Sequence, residues 1–313
     1  MSDAFLDPAT DLVERPQTYE ELRARPDFRA PLDHKAFALK RVLTDYHFPK
    51  DAPCGLKSCR QPHQHGYLVL TDGGGETNIG NRCGKTHFGD EVFSSARADW
   101  VRRRDRDDLV KRAKQLQSIA PDIENAINDL TFKPYGAKWT VRVKKVLESV
   151  IGVGLVDSLR VSSIRGELAV TKPRRRSDEE IEDVLAANRG MTRERATFVD
   201  EVIGQMLPMP WLDFDFHEKL MVRLCGPLKS FRQLLPEALA SPKLKVEVKR
   251  FEGHEQVLHE GGEAVASALR FLTDDNLRLV AEWIPKHFTG VAAGLRSWIG
   301  SKEHAALLSG APK

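Results

Sequence analysis

The sequence predicts an α+β chain that is mainly helical, with a small β-hairpin/helix module near the N-terminus and a helical C-terminal domain. Three observations carry this expectation. Residues 54–89, CGLKSCRQPHQHGYLVLTDGGGETNIGNRCGKTHFG, gather three of the four cysteines around a glycine-rich hairpin signal. The segments beyond them repeat apolar residues at three- and four-residue spacing. Only a few short runs alternate with period two.

Taken in order, residues 1–35 read as a loosely structured lead rich in Asp, Pro and Arg, with one short helix at TYEELRAR. His34 to Tyr46 carries apolar residues near helical spacing and stops at a turn by Pro49. Gly66–Leu70 is a short strand, Thr71–Glu76 a glycine turn and Thr77–Ile79 a returning strand. Past Cys83 the pattern turns helical, is interrupted near Gly89, and runs on as a charged helix to about Ala120. Pro121 is expected to break it before a second helix, DIENAINDL.

A helix is expected over WTVRVKKVLESVIG, then two β-runs within Leu155–Val170 around Arg165-Gly166, an arrangement like a winged hairpin. The basic link KPRRR leads to Ser177, whose Ser-x-x-Glu spacing with Glu180 is a capping box for a helix ending near Gly190. Further helices are read over ERATFVDEVIGQML, DFHEKLMVRLC, LKSFRQLLPEAL, EAVASALRFL, DNLRLVAEWIPKHF and VAAGLRSWIG. Leu244–Phe251 (LKVEVKRF) alternates and reads as a strand, Phe251–Gly262 as a polar loop, and the ALLSGAPK tail as mobile. The resulting organisation is a lead (1–35), a Cys/His module with flanking helices (36–120), a basic central region (121–176) and a mainly helical domain (177–313).

With 41% hydrophobic, 30% charged and 7% aromatic residues the composition is that of a globular chain rather than a disordered one. No apolar run reaches the roughly 18 residues of a membrane span, and the acidic N-terminus lacks an apolar signal core. The expected setting is cytoplasmic, with no membrane partner. There, clustered cysteines point to metal or redox chemistry rather than to structural disulfides.

The spacing is Cys54-x4-Cys59, then 23 residues, then Cys83-x3-His87. Cysteine thiolates and imidazoles are the ligands that a tetrahedral structural zinc site uses. Cys83 and His87 are four apart at a predicted helix start, so both side chains project from one face. Zinc in a structural role is therefore expected, with His63 or His65 as alternatives to His87 for the fourth ligand. Cys225, alone in an apolar helix, reads as a core residue. A turn bearing two cysteines, a hairpin and a helix bearing the second ligand pair resemble a treble-clef zinc finger, over residues 54–90 only. The resemblance departs from the usual knuckle, which has two residues between its cysteines where this one has four.

The net charge of +3 conceals a basic middle. Residues 131–147 hold five basic residues and no acid, with Phe132, Tyr135 and Trp139 interleaved among them. The runs RRRDR and KPRRR add two more basic clusters. Arg102, Arg103, Lys138, Arg142, Lys144, Lys145, Arg174 and Arg175 are the candidate contacts to phosphates, with DNA favoured over RNA. The plainer reading is an amphipathic helix whose Trp139, Val143 and Val146 enter the core while its lysines are solvated.

Two other functions fit the same residues: a zinc-stabilised adaptor that docks a protein or a second copy, and a metal nuclease using His63 or His65 as base. No catalytic set is assigned. The sequence lacks a phosphate-binding GxxxxGK[ST] loop and a Gly-x-Ser-x-Gly elbow, which removes nucleotide-driven and serine-hydrolase readings.

Overall fold

The computed structural model describes residues 13–59 and 61–310. Expectations for the first twelve residues of the lead and the last three of the tail fall outside them. The fold is α+β and mainly helical, with its small antiparallel sheets outnumbered by helices. Among the described residues no helix is long and apolar enough to cross a membrane.

In chain order the elements are α1 (Tyr19–Arg23), β1 (Leu39–Pro53), β2 (Pro62–Thr71), β3 (Gly75–Ile79), α2 (Asn81–Phe88) and α3 (Asp90–Phe132). Then come α4 (Ala137–Ile151), α5 (Val153–Arg165), β4 (Ala169–Arg175), α6 (Asp178–Ala187), α7 (Arg193–Ala196) and β5 (Phe198–Gln205). A π-helical stretch (His217–Cys225) leads into α8 (Gly226–Arg232). The chain ends with α9 (Ser241–Glu252), α10 (His254–Phe271), α11 (Asp274–Trp283), α12 (Thr289–Trp298) and α13 (Lys302–Leu308). Two compact units emerge, one of residues up to Leu116 with Leu235–Val248, the other of Gln117–Leu234 with Lys249 onward.

The first unit is built on the three-stranded sheet β1-β2-β3, antiparallel throughout. The glycine turn and its two strands form, but the turn is tighter and the strands longer than expected: β2 begins at Pro62 rather than Gly66, and β3 at Gly75 rather than Thr77. The expected helix over His34–Tyr46 does not form, because β1 occupies Leu39–Pro53. Val42 and Leu43 are neighbours that point into different apolar clusters. One contains Leu32, Leu56, Val69, Ile79, Phe93 and Trp100, the other Leu22, Tyr46, Phe48 and Leu68. A strand buried on both faces loses the alternation that would identify it, and bulges in the β1–β2 register blur it further.

Tyr46 on β1 lies opposite Gly66 on β2 and stacks on Phe48, with ring centroids 4.4 Å apart. A Cβ at Gly66 would collide with Tyr46 Oη and with the carbonyl of Ile79, so only glycine lets the phenol cross the strand.

The second unit is helical around a two-stranded ribbon, β4-β5. Here α4 packs on α5, α10 and α12, and α11 packs on α12 and β4. Trp211 against Phe271 and Phe231 against Phe251 supply its aromatic core. The capping box at Ser177 forms as the spacing predicts: its side chain accepts from Glu180 N, and Glu180 accepts from Ser177 N.

Several local expectations are corrected. Residues 155–170 do not form a hairpin: α5 buries Val156 and Leu159, and Gly166, at φ 72°, is its left-handed cap. The helix expected from Glu194 is only α7, after which β-branched residues pair as β5 with β4. LKVEVKRF lies in helix α9, where Leu244, Val248 and Phe251 form the buried stripe and Val246 faces solvent. Phe251–Gly262 is helical rather than a polar loop, and Leu307 is buried in α13 rather than part of a mobile tail. Pro121 does not break α3. It removes a bond to the Gln117 carbonyl at a cost of about 3 kcal/mol, against which Ala120, Ile123 and Ile127 are all buried around it.

Replacing Gly66 by Ala is expected to lower stability by about 1–3 kcal/mol through forced displacement of Tyr46. Chemical denaturation of the full chain, followed by tyrosine and tryptophan fluorescence, measures this; an unchanged midpoint would show that the strand accommodates the methyl.

Candidate metal centre

Three chain segments meet at the thiols. β1 and β2 are paired at Pro53 and Pro62, and the loop between them is closed by Cys54 N donating to Gln61 O at 3.1 Å. Inside it Cys59 N donates to Leu56 O at 3.1 Å. Gly55 N donates to Asn78 O on β3 at 2.8 Å, and a Cβ at Gly55 would overlap Thr77 Oγ1, so the loop can lie flat on β3 only with glycine there. Cys83 enters from the first turn of α2, whose neighbour Gly84 admits the Phe93 ring, with only 2.6 Å from its ring carbons to where a Cβ would stand.

The Sγ atoms of Cys54, Cys59 and Cys83 all lie within 4.8 Å of one another, and the Cys59 and Cys83 sulfurs are 3.1 Å apart. None is in a disulfide. A tetrahedral ion with metal–sulfur bonds of about 2.3 Å spaces its thiolates about 3.8 Å apart, so this triangle can close on one ion. The chemistry of the donors agrees, since burial pushes the Cys54 thiol up, with Cys59 adding to it against the Leu56 backbone and Cys83, and pushes the Cys83 thiol up to about 12, with both neighbouring thiols adding to it. For Cys59 burial acts in the same direction, but the Gln61 backbone and the other two thiols outweigh it and its value falls. Three thiolates this close repel one another unless a cation is shared among them.

Among the described residues this group contains no imidazole. His87 is half-buried one turn beyond Cys83, its ring centroid 4.6 Å from that of His34. Burial and the nearby His34 hold it below the usual histidine value, so it is a neutral imidazole at neutral pH. His63 and His65 are occupied elsewhere. His63 receives the Tyr46 hydroxyl on Nε2 and donates from Nδ1 to Gln61 O at 3.1 Å. His65 lies across the strand from His47, with ring centroids 3.8 Å apart. Cys225 stands apart at the end of the π-helical stretch.

A polar network braces the loop from behind. Asn78 Nδ2 donates to Tyr46 Oη at 3.2 Å and to Pro53 O at 2.9 Å, so Tyr46, Asn78 and His63 tie both loop ends to the sheet. Neither Tyr46 nor Asn78 has a sequence signature that links it to the cysteines. His34 was likewise invisible to spacing. It is placed by the parallel bridge of Leu32 to Leu56, which the Leu32 N to Gly55 O bond (2.7 Å) and the Lys57 N to Leu32 O bond (2.8 Å) reinforce.

The candidate phosphate contacts divide between the units. In the first, Arg102 pairs with Asp99, and Arg103 donates to Val42 O at 2.9 Å. In the second, Lys138 lies 4.3 Å over the Phe132 ring, Arg142 is engaged, Lys144 is half-buried and Lys145 exposed. Arg174 is held by Glu180 at 2.8 and 3.1 Å and by Glu201 at 3.4 Å, while Arg175 is exposed. Of the interleaved aromatics, Trp139 is buried and donates to Leu307 O at 2.9 Å, and Tyr135 donates to Leu308 O at 2.7 Å. Both are committed to packing, which leaves Phe132 as the exposed ring.

No protein-family model matches the chain, and no curated protein or solved structure matches it either.

Two predictions follow from the donor set. Cys54→Ser and Cys83→Ser are each expected to weaken the thiolate-to-metal absorbance seen on cadmium loading, while Cys225→Ser leaves it unchanged; equal signals in all three would place the metal elsewhere. Because Cys54 and Cys83 hold their protons at neutral pH, metal uptake must displace them. Affinity is expected to weaken as pH falls from 8 to 6, by about one power of ten per pH unit for each proton displaced. Competition with a chromophoric chelator reads this, and a flat profile would contradict thiolate ligation.

Proposed function

We propose that the chain is a nucleic-acid-binding protein, DNA being the favoured ligand, with a structural zinc ion held by Cys54, Cys59 and Cys83 in a treble-clef-like module and a cytoplasmic location. The observation that carries the nucleic-acid reading is the solvent face of α4. Trp139, Val143 and Leu147 form its buried stripe. Lys138, Arg142 and Lys145 recur at four- and three-residue spacing on another face, with Lys144 beside them. The first acid is Glu148. The seven steps from Lys138 to Lys145 rise about 10 Å, the axial length of about three nucleotide steps.

A second basic feature lies in the first unit. A groove of about 930 Å³ is lined by Arg102, Arg106, Arg112, Lys111 and Lys245 against Asp105 and Asp108. Arg106 spends its donors there on neutral acceptors, including Glu237 O at 2.8 Å.

Zinc fits a donor set of three thiols, and its role is read as structural because these thiols fasten the ends of separate elements. An adaptor is the second reading, favoured by Phe198 and Val202, which are 56% and 61% exposed on the β4–β5 ribbon.

The test is a salt titration of DNA and RNA binding by the wild type and by a K138A/R142A/K144A/K145A variant. Affinity for the wild type should fall steeply with salt, and the variant should lose about three to four units of the log–log slope if each residue meets one phosphate. Binding absent at low salt, or unaltered in the variant, would overturn this reading. No nucleic-acid binding at low salt, together with self-association that is lost in a Phe198→Ser/Val202→Ser variant that keeps its fold, would favour the ribbon, and with it the adaptor.

A further inference from the structure

Two imidazoles, not one, are carried by the segments that position the three thiols, and they arrive by independent routes. His87 is carried by α2, four residues after Cys83. His34 is carried by the segment that runs parallel to the cysteine loop: two residues beyond the Leu32–Leu56 bridge it reaches Ser58, the neighbour of Cys59. Its Nδ1 lies 3.1 Å from Ser58 Oγ. The hydroxyl thereby occupies Nδ1 and leaves Nε2 free to ligate, which is how outer-shell partners orient a metal-binding histidine. His87 has no hydrogen bond of its own among the described residues, and its ring centroid is 4.6 Å from that of His34, at a tilt of 59°. Both rings are half-buried.

We propose that His34 and His87 form an exchangeable pair, either imidazole supplying the fourth ligand to an ion held by Cys54, Cys59 and Cys83. This rests on the metal reading of the thiols and adds a ligand that spacing alone does not reveal. Exchange requires only side-chain rotation, because each ring is tethered to the site through its own backbone: His34 through the bridge to the cysteine loop, His87 through α2. The ion then remains four-coordinate when one imidazole turns away, a property that a single fixed histidine cannot provide.

The experiment loads full-length wild type, His34→Ala, His87→Ala and the double variant with Co²⁺. It records the visible ligand-field bands and measures affinity by chelator competition, with far-UV circular dichroism to confirm folding. The wild type and both single variants should show the bands of three sulfurs and one nitrogen, with affinity reduced in the single variants by about tenfold or less. The double variant should shift to a three-sulfur, one-oxygen spectrum and lose about 100-fold or more. If one single variant already matches the double, that histidine is the sole ligand and the exchange is overturned. A nitrogen ligand persisting in the double variant overturns it as well. Failure of the wild type to take up Co²⁺ would instead sink the metal reading beneath it. Gln replacements, which preserve side-chain volume, are substituted for any Ala variant whose dichroism departs from wild type, and the same outcomes decide.

Discussion

Three thiols held within a few ångströms of one another define the constraint around which the first unit is organised. The end of β1, the loop before β2 and the first turn of α2 must all arrive at one point, and each is aimed there by backbone contacts that tolerate little variation. Gly55 lies flat on β3, Gly66 lets Tyr46 cross β2, and Gly84 accepts the Phe93 ring. Without a cation, the arrangement would confine three mutually repelling groups in partly desolvated surroundings, and two of them answer by holding their protons. A divalent ion would reverse that balance and turn the same proximity into a fastening, on the order of 10 kcal/mol in small zinc modules.

The sheet below the thiols has two apolar faces rather than one. Val42, Val69 and Ile79 join Phe93 and Trp100 on one side, while Leu43, Tyr46 and Leu68 meet Leu22 and Phe48 on the other. Tyr46 links packing to the site: its ring lies in an apolar cluster and its hydroxyl joins Asn78 and His63 directly behind the cysteine loop. The second unit follows a different logic, with a basic solvent face on α4 opposite an apolar one. The same helix therefore bears out the plain reading of its sequence for Trp139 and Val143, which are buried, and leaves Lys138 and Lys145 exposed on its other side.

How far the sequence shows this depends on whether the deciding contacts are local. The glycine turn of the β2–β3 hairpin, the helix beginning near Cys83 and the Ser177 capping box involve residues within a few positions of each other, and all are legible. The strand β1 is not, because burial on both faces gives Val42 and Leu43 equal character and hides the period. Val246, between buried Leu244 and Val248, imitates strand alternation inside a helix. Pro121 misleads because core packing outweighs one missing hydrogen bond. In the metal centre the cysteines stand out by their spacing, whereas His34 reaches Ser58 only through a bridge between Leu32 and Leu56, a pairing that no local pattern announces.

The most direct measurement is the native mass of the purified full-length chain, taken before and after acidification. One divalent ion per chain, displacing protons and released on acidification, is the result expected of three thiolates that share a cation. A chain that retains its bare mass after refolding with zinc, cobalt or cadmium would contradict it, and would reduce Cys54, Cys59 and Cys83 to members of an apolar core.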